Sequence, residues 1–377
     1  MTSPRRSRRC CVRWRPRTPG RRRTVAALLA MAVLASASTA APVGHAAPDA
    51  DCDAANGKGR TGASQGADIL TMSDGDLATL LDRMREAGMW SLRVDLDWTR
   101  IEPQRGQRDW SSVDRIVAAA TARGLCPLGL VTYAPDWAAD HPDATGGYFA
   151  PSDPALFADF AGAAAARYGS RIAVWEVWNE PNTVNYFKPR PDPARYGQLL
   201  AAASRAIKAA DPDATVLSGG LAPAEDNGSD IAPLTFLRGM YANGANRSFD
   251  GFAIHPYTYP ALPDDPTTSD WNTAQRMWLM RDVMVGGGDA GKKMWITECG
   301  APTGTNRRAV SEGKQADTLR MMLATAENTP WLGPAFVYAM RDSGTDTADS
   351  EQNFGILRHD FTPKPAYEVV ARFGEPG

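Results

Sequence analysis

Between Gly62 and Phe373, short apolar runs rich in β-branched residues alternate with helical patterns, and the alternation repeats eight times. That rhythm leaves few folds open. Strands separated by helices pair in parallel, and a parallel sheet needs helices over it because its strands are apolar on both faces. The strands are predicted within Gly62 to Ile69, Ser91 to Asp95, Pro127 to Thr132, Val174 to Glu180, Ala214 to Gly219, Asp250 to His255, the run from Met294 to Glu298, and Pro334 to Met340. Helix starts are read from Ser73 or Asp74, Ser111, Ser152, Asp192 before Pro193, and Ser311; stops are read from Gly88, Gly124, Gly169 and Gly286-Gly287-Gly288. The loop from Asp97 to Pro103 is read as irregular. A chain of 377 residues could hold two or three average domains, but there is no linker and no repeat beyond the strand-helix period. The expected fold class is therefore α/β, a single (β/α)8 TIM barrel over residues 48–377.

Two of the eight runs end on a carboxylate. Val174 to Asn182 reads Val-Trp-Glu-Val-Trp-Asn-Glu-Pro-Asn, and Pro181 cannot continue a ladder, so the strand is expected to end at Asn179-Glu180. Met294 to Gly304 is built alike and delivers Glu298 before a Gly/Pro turn. The two Glu lie 118 residues apart. An open sheet offers no reason for them to meet, whereas in a closed barrel strands four and seven face one another across the top. One such Glu alone fits a solvated strand end or an ion pair. Two of them, each in an aromatic setting, are what a two-carboxylate glycosidase needs. The other C-terminal strand ends hold Asp95, Tyr133, Asn179, His255, Tyr257 and Tyr338, a polar set for otherwise apolar segments. Arg93, inside strand two, requires a carboxylate partner if buried. Trp137, Trp178 and Tyr338 are candidate sugar platforms, with core packing the competing reading for each Trp.

The Asn-Glu-Pro ending, the Glu298 strand and His255-Pro256-Tyr257 resemble the retaining glycoside hydrolases of clan A, the group of cellulases, xylosidases and mannanases. The resemblance covers roughly Leu77 to Tyr367 and points to actinobacterial cellulase-like proteins on the border of families 5 and 39. It implies Glu180 as acid/base, Glu298 as nucleophile, Arg93 beside the nucleophile to keep it ionised, Asn179 on the sugar 2-hydroxyl, His255 orienting the carboxylates, and Tyr257 donating to Glu298. Tyr338 stands where many members have Trp and Tyr133 where many have His, and the first strand lacks their usual aromatic and His residues. Those departures fall on the sugar subsite. The reading that follows is a retaining β-glycosidase with a carbohydrate as its partner and with no cofactor or metal. Transglycosylation on the same site and a non-catalytic carbohydrate-binding barrel are the alternatives.

Residues 1–47 are read as a signal peptide and processing region: residues 1–23 are Arg-rich without acid, Thr24 to Ala41 is apolar, and small residues follow. The run is short for a membrane span and interrupted by Ser and Thr, so a secreted protein rather than an anchored one is expected. Residues 1–46 hold ten Arg and no acid; without them 31 basic face 43 acidic residues, a net charge of −12. That balance argues against nucleic acid and anionic membrane as partners. Cys52, Cys126 and Cys299 remain after the leader. Cys299 follows Glu298 at the barrel top, while Cys52 and Cys126 precede strands one and three at the bottom, so a Cys52–Cys126 disulfide is expected.

Overall fold

The computed structural model of the chain describes residues 52, 60–141 and 148–374, all within the unit His45–Gly377. The predicted leader, residues 1–47, lies outside the described residues. Eight parallel strands close into a barrel in chain order: β1 (Thr61–Ser64), β2 (Ser91–Asp97), β3 (Cys126–Thr132), β4 (Val174–Val177), β5 (Thr215–Ser218), β6 (Gly251–Ile254), β7 (Lys293–Cys299) and β8 (Leu332–Tyr338). β1 closes on β8 with Thr61 opposite Ala335 and Ser64 opposite Tyr338. Outside run α1 (Asp74–Glu86), a single turn α2 (Trp98–Ile101), α3 (Ser111–Thr121), α4 (Pro154–Tyr168), α5 (Pro193–Ala210), α6 (Pro233–Ala242), α7 (Thr273–Gly286), α8 (Glu312–Asn328) and α9 (Pro365–Gly374). Among the described residues no helix is long and apolar enough to cross a membrane.

Two apolar clusters hold the barrel together. The large one lies between strands and helices; Phe157 and Phe160 of α4 are fully buried there, each contributing roughly 1.5–3 kcal/mol of transfer free energy. Gly162 lets α4 approach α5 closely, since a Cβ there would sit 3.3 Å from the Ala206 methyl. The smaller cluster plugs the barrel near the strand starts with Leu128, Val174, Leu217, Ala253, Trp295 and Phe336. Gly251 and Gly333 make room for the Trp295 indole, which an added Cβ at either would meet at 3.1 Å. Side chains two apart on a strand share a face. The steps Val174 to Glu176, Trp295 to Thr297 and Phe336 to Tyr338 therefore carry the barrel interior from an apolar floor to a polar mouth. Cys52 packs on that floor and is bonded to Cys126, with Cα atoms 5.3 Å apart.

Several boundaries differ from the sequence reading, each for a local reason. β1 ends at Ser64, and Gly66–Leu70 form a 3-10 turn. β2 runs on to Asp97, whose carboxylate accepts the Thr99 N–H at 2.9 Å and starts the turn α2 inside the loop read as irregular. Asp153, not Ser152, caps α4: Pro154 has no N–H to give, and the Asp153 carboxylate takes that of Ala155 at 2.8 Å. Ser111 is the first residue of α3 rather than its cap, and Asp109 accepts its N–H at 2.9 Å. β4 stops at Val177, three residues before Glu180.

A protein beginning at Pro48, denatured without reductant, should titrate with one thiol per chain, Cys299, which is buried and unpaired in the fold. Reduction should cost about 4 kcal/mol, the chain-entropy value for closing a loop of this length, read as the shift of the urea midpoint. Three titratable thiols would contradict the bond.

Candidate active site

The chain leaves β4 by a turn that ordinary side chains avoid. Trp178 and Glu180 have φ of 73° and 47°, and Tyr133, at the end of β3, has 62°. Left-handed backbone at bulky residues costs of order 1–3 kcal/mol each and persists only where the surroundings enforce it. Here Trp178 donates its N–H to Val131 O at 2.8 Å, and Glu180 donates to Gly220 O at 3.1 Å. The Trp178 indole is sunk in the outer core against Phe157 and Phe187, with Nε1 donating to Tyr186 O at 2.8 Å. Gly219 must be glycine, because a Cβ would lie 2.5 Å from Trp178 O. The turn throws Trp178 outward and swings Asn179 and Glu180 over the mouth.

Beneath the mouth lies a buried guanidinium. Arg93 donates to Glu176 from Nε at 2.7 Å and from Nη2 at 3.2 Å, to Glu298 Oε1 from Nη1 at 2.5 Å, and to Asn179 Oδ1 at 3.0 Å. Glu176 also accepts from Gly220 N at 2.8 Å and Thr297 Oγ1 at 3.1 Å. Tyr257 donates to the other oxygen of Glu298 at 2.7 Å. His255, fully buried on β6's end, places Nδ1 2.9 Å from Glu180 Oε1 and 3.6 Å from Glu298 Oε2, and Nε2 3.1 Å from Thr297 Oγ1. Thr297 has one hydroxyl proton and gives it to Glu176. The network therefore assigns a proton to His255 Nε2, and the Nδ1–Glu180 contact shares one more. Gly220 is packed beneath this ring; a Cβ there would fall 2.2 Å from Nε2.

The two carboxyls are thereby driven apart. Burial raises Glu180, the His255 hydrogen bond and charge oppose, the Glu298 charge adds, and the group ends above its ordinary value. Burial would raise Glu298 too, but the charges of His255 and Arg93 and the hydrogen bonds from Tyr257 and Arg93 outweigh it, so it stays below. Burial would depress His255, yet Glu298 and Glu180 carry it upward. Oxygen atoms of Glu180 and Glu298 and His255 Nδ1 lie within 4.8 Å of one another. Three such donors could attract a cation, but Arg93 already sets its charge 2.5 Å from Glu298, where an ion would be repelled.

These groups open into a cleft of about 630 Å³, within the range of small-ligand sites. Arg93, Tyr133, Asn179, Tyr257 and Tyr338 all line it. Trp137 and Trp178 do not. Trp178 is a core residue, and Trp137 packs edge-on against Trp98 with Nε1 donating to Glu102 O at 2.9 Å. The aromatic walls come instead from Tyr133 stacked on Tyr148 at 3.8 Å, Tyr186, Tyr259 and the 40% exposed Trp271. Sequence reasoning passed over Glu176 and Thr297. Glu176 did leave a signal, a lone charge inside an apolar strand. Tyr186 and Trp271 sit in loops and left none.

Replacing Arg93 by Met should cost about 3–5 kcal/mol near neutral pH, since two buried carboxylates lose their counter-charge. Glu298 has its folded value below the unfolded one, so its stabilisation is present above the ordinary 4.5 and is lost as pH falls through the folded value. The deficit of the variant should therefore narrow in acid. Urea unfolding of both proteins across pH tests this, and a deficit independent of pH would contradict it.

The family model for Cellulase (glycosyl hydrolase family 5) matches residues 52–334. Among solved structures the chain is similar to a family 39 glycoside hydrolase from the gut symbiont Bacteroides cellulosilyticus WH2, at 26% identity and TM-score 0.68. The match covers 84% of this chain and 63% of that one, so this chain spans less than two thirds of its length. A monomeric β-xylosidase from Caulobacter crescentus CB15 shares the fold at 19% identity and TM-score 0.63, covering 86% of this chain and 68% of that one. So does a GH5_18 protein from Bifidobacterium longum subsp. longum, solved with Manβ1-4GlcNAc, at 16% identity and TM-score 0.64, covering 84% and 77%. No curated protein matches.

Proposed function

The chain belongs to glycosyl hydrolase family 5, the cellulase family, and we propose that it cleaves β-O-glycosidic bonds of oligo- or polysaccharides with retention, by double displacement between Glu180 and Glu298. The observation that carries this reading is the pair itself. One oxygen of each comes within 4.8 Å of the other, which supports the close carboxyl spacing of about 5–5.5 Å used in retention. Their environments also push one toward the acid form and the other toward the anion.

Glu298, held by Arg93 and Tyr257, attacks the anomeric carbon as the bond to the leaving oxygen breaks. Glu180 gives that oxygen its proton. A covalent glycosyl-Glu298 ester remains. Glu180, now ionised beside His255, takes a proton from water, the water oxygen attacks the anomeric carbon, and Glu298 leaves as carboxylate. Asn179, its Oδ1 fixed by Arg93 and one Nδ2 hydrogen given to the Tyr133 hydroxyl at 3.4 Å, keeps the other Nδ2 hydrogen for the sugar 2-hydroxyl. We further propose that the protein works outside the cell. The Arg-rich, then apolar N-terminus and the Cys52–Cys126 bond support that reading.

Glu298→Ala should abolish turnover of an aryl β-glycoside, and azide should restore part of it as the inverted glycosyl azide. Glu180→Ala should spare dinitrophenyl glycosides, whose leaving group needs little protonation, and azide should there yield the retained product. Stereochemistry by NMR decides, and undiminished activity of Glu298→Ala would sink the assignment.

The profile of kcat/KM against pH should be bell-shaped, its acid limb below and its alkaline limb above the ordinary carboxylate value of 4.5. The alkaline limb should fade with dinitrophenyl substrates. A profile whose alkaline limb keeps its place with every leaving group would contradict Glu180 as the acid.

A further inference from the structure

One carboxyl in the cleft has no part in the chemistry above. Asp95 lies on β2 two residues beyond Arg93, on the same face, and lines the cleft while remaining 7% exposed. Its Oδ1 is buried and finds no hydrogen-bond partner among the described residues. Arg93, whose charge acts on Asp95, is already committed, because its donors point at Glu176, Glu298 and Asn179. A buried polar atom left unpaired costs about 1–3 kcal/mol. Its neighbours Tyr133 and Tyr338 are themselves cleft walls.

We propose, resting on the glycosidase reading, that Asp95 is a specificity-determining residue that accepts a hydrogen bond from a hydroxyl of the bound glycone, on C3 or C4 of the ring. The placement argues for those positions. Asn179, next to Glu180, serves the 2-hydroxyl. Asp95 stands beyond Arg93 toward the end of β2, in register with Leu130 of β3 and Glu176 of β4, and lines the cleft with Tyr133 and Tyr338; with the 2-hydroxyl served by Asn179, the hydroxyls left on the ring are those on C3 and C4. Rotation about the Cβ–Cγ bond exchanges its two oxygens, so the unpaired one can reach the ligand without backbone movement. A carboxyl also selects against sugars that carry a carboxylate, so the site suits a neutral sugar. The group is poised for this. Burial first, opposed by Arg93 and reinforced by Glu298 and Asp97, lifts it to about 7, so a hydroxyl can find it as acceptor or as donor near neutrality.

The test uses 2,4-dinitrophenyl β-D-glucoside, -mannoside, -xyloside and -galactoside, then the 3-deoxy and 4-deoxy forms of the best substrate. Turnover by the parent protein judges the glycosidase reading by itself. Asp95→Ala should lose roughly 100-fold in kcat/KM, the size of a hydrogen bond to a charged group, with no fall in melting temperature. Asp95→Asn should lose less, because the amide still accepts. On the deoxy glycoside that lacks the partner hydroxyl, parent and Ala variant should converge. A loss of under threefold, or an equal loss on all deoxy forms, overturns the proposal. If Asp95→Ala fails to fold, the same deoxy comparison is read from Asp95→Asn. If the parent turns over none of the four, Asp95 is judged by saturation-transfer NMR with free glucose, mannose and xylose. Signal lost in the variant supports the role, and signal retained overturns it.

Discussion

The mouth of this barrel depends on one buried cation. Arg93 is 1% exposed, and a guanidinium in that position is tolerable only with carboxylates around it. Glu176 supplies one and Glu298 the other. The same ion thereby does two things that pull in one direction. It ties β2 to β4 and β7 across the barrel interior, and it keeps Glu298 ionised in a place where burial alone would protonate it. Its remaining donor orients Asn179. Structural and chemical roles are held by one side chain using different nitrogens.

From that centre the polar groups form one connected path. Glu176 receives the Thr297 proton, Thr297 receives one from His255, and His255 shares the next with Glu180. Partly satisfied buried networks are costly, fully satisfied ones rigidify. Asp95 stands beside this path without joining it, and no described residue pairs its buried Oδ1.

Much of this is legible in the sequence. Strand-helix alternation calls for a parallel sheet under helices, and the two Glu at distant strand ends, conspicuous in such apolar segments, favour closing that sheet into a barrel. Arg93 announced that it needed a partner. What could not be read was the partner: Glu298 was the evident candidate, while Glu176 faces inward one turn of the pleat before Trp178, and only the barrel's curvature brings it onto Arg93. The aromatic residues misled for a related reason. Trp178 and Trp137 are near the motifs in sequence, but a strand end alternates faces, and the positive φ at Trp178 turns it to the outer layer. The walls of the cleft come from Tyr148, Tyr186 and Trp271, whose loops have no periodicity to betray their direction. Two helix caps were misplaced: at α4 Asp153 takes an N–H that Ser152 was expected to take, and at α3 Ser111 is already helical and gives its own N–H to Asp109.

The turn at the end of β4 joins packing to chemistry. Two left-handed residues within three positions are held there by hydrogen bonds to β3 and to Gly220, and by the sinking of an indole between Phe157 and Phe187. Burial of so large a side chain is worth several kilocalories, enough to offset the backbone strain that places Glu180 over the cleft. Glu180 itself could not supply that energy, since a carboxyl gains nothing from leaving water. The anchor must therefore be apolar and adjacent, and the residue between anchor and acid must be small enough in reach to turn inward, which Asn179 is. The Trp-Asn-Glu order thus has a mechanical sense: the indole anchors the turn in the outer layer, the amide meets Arg93, and the acid is left at the rim beside His255.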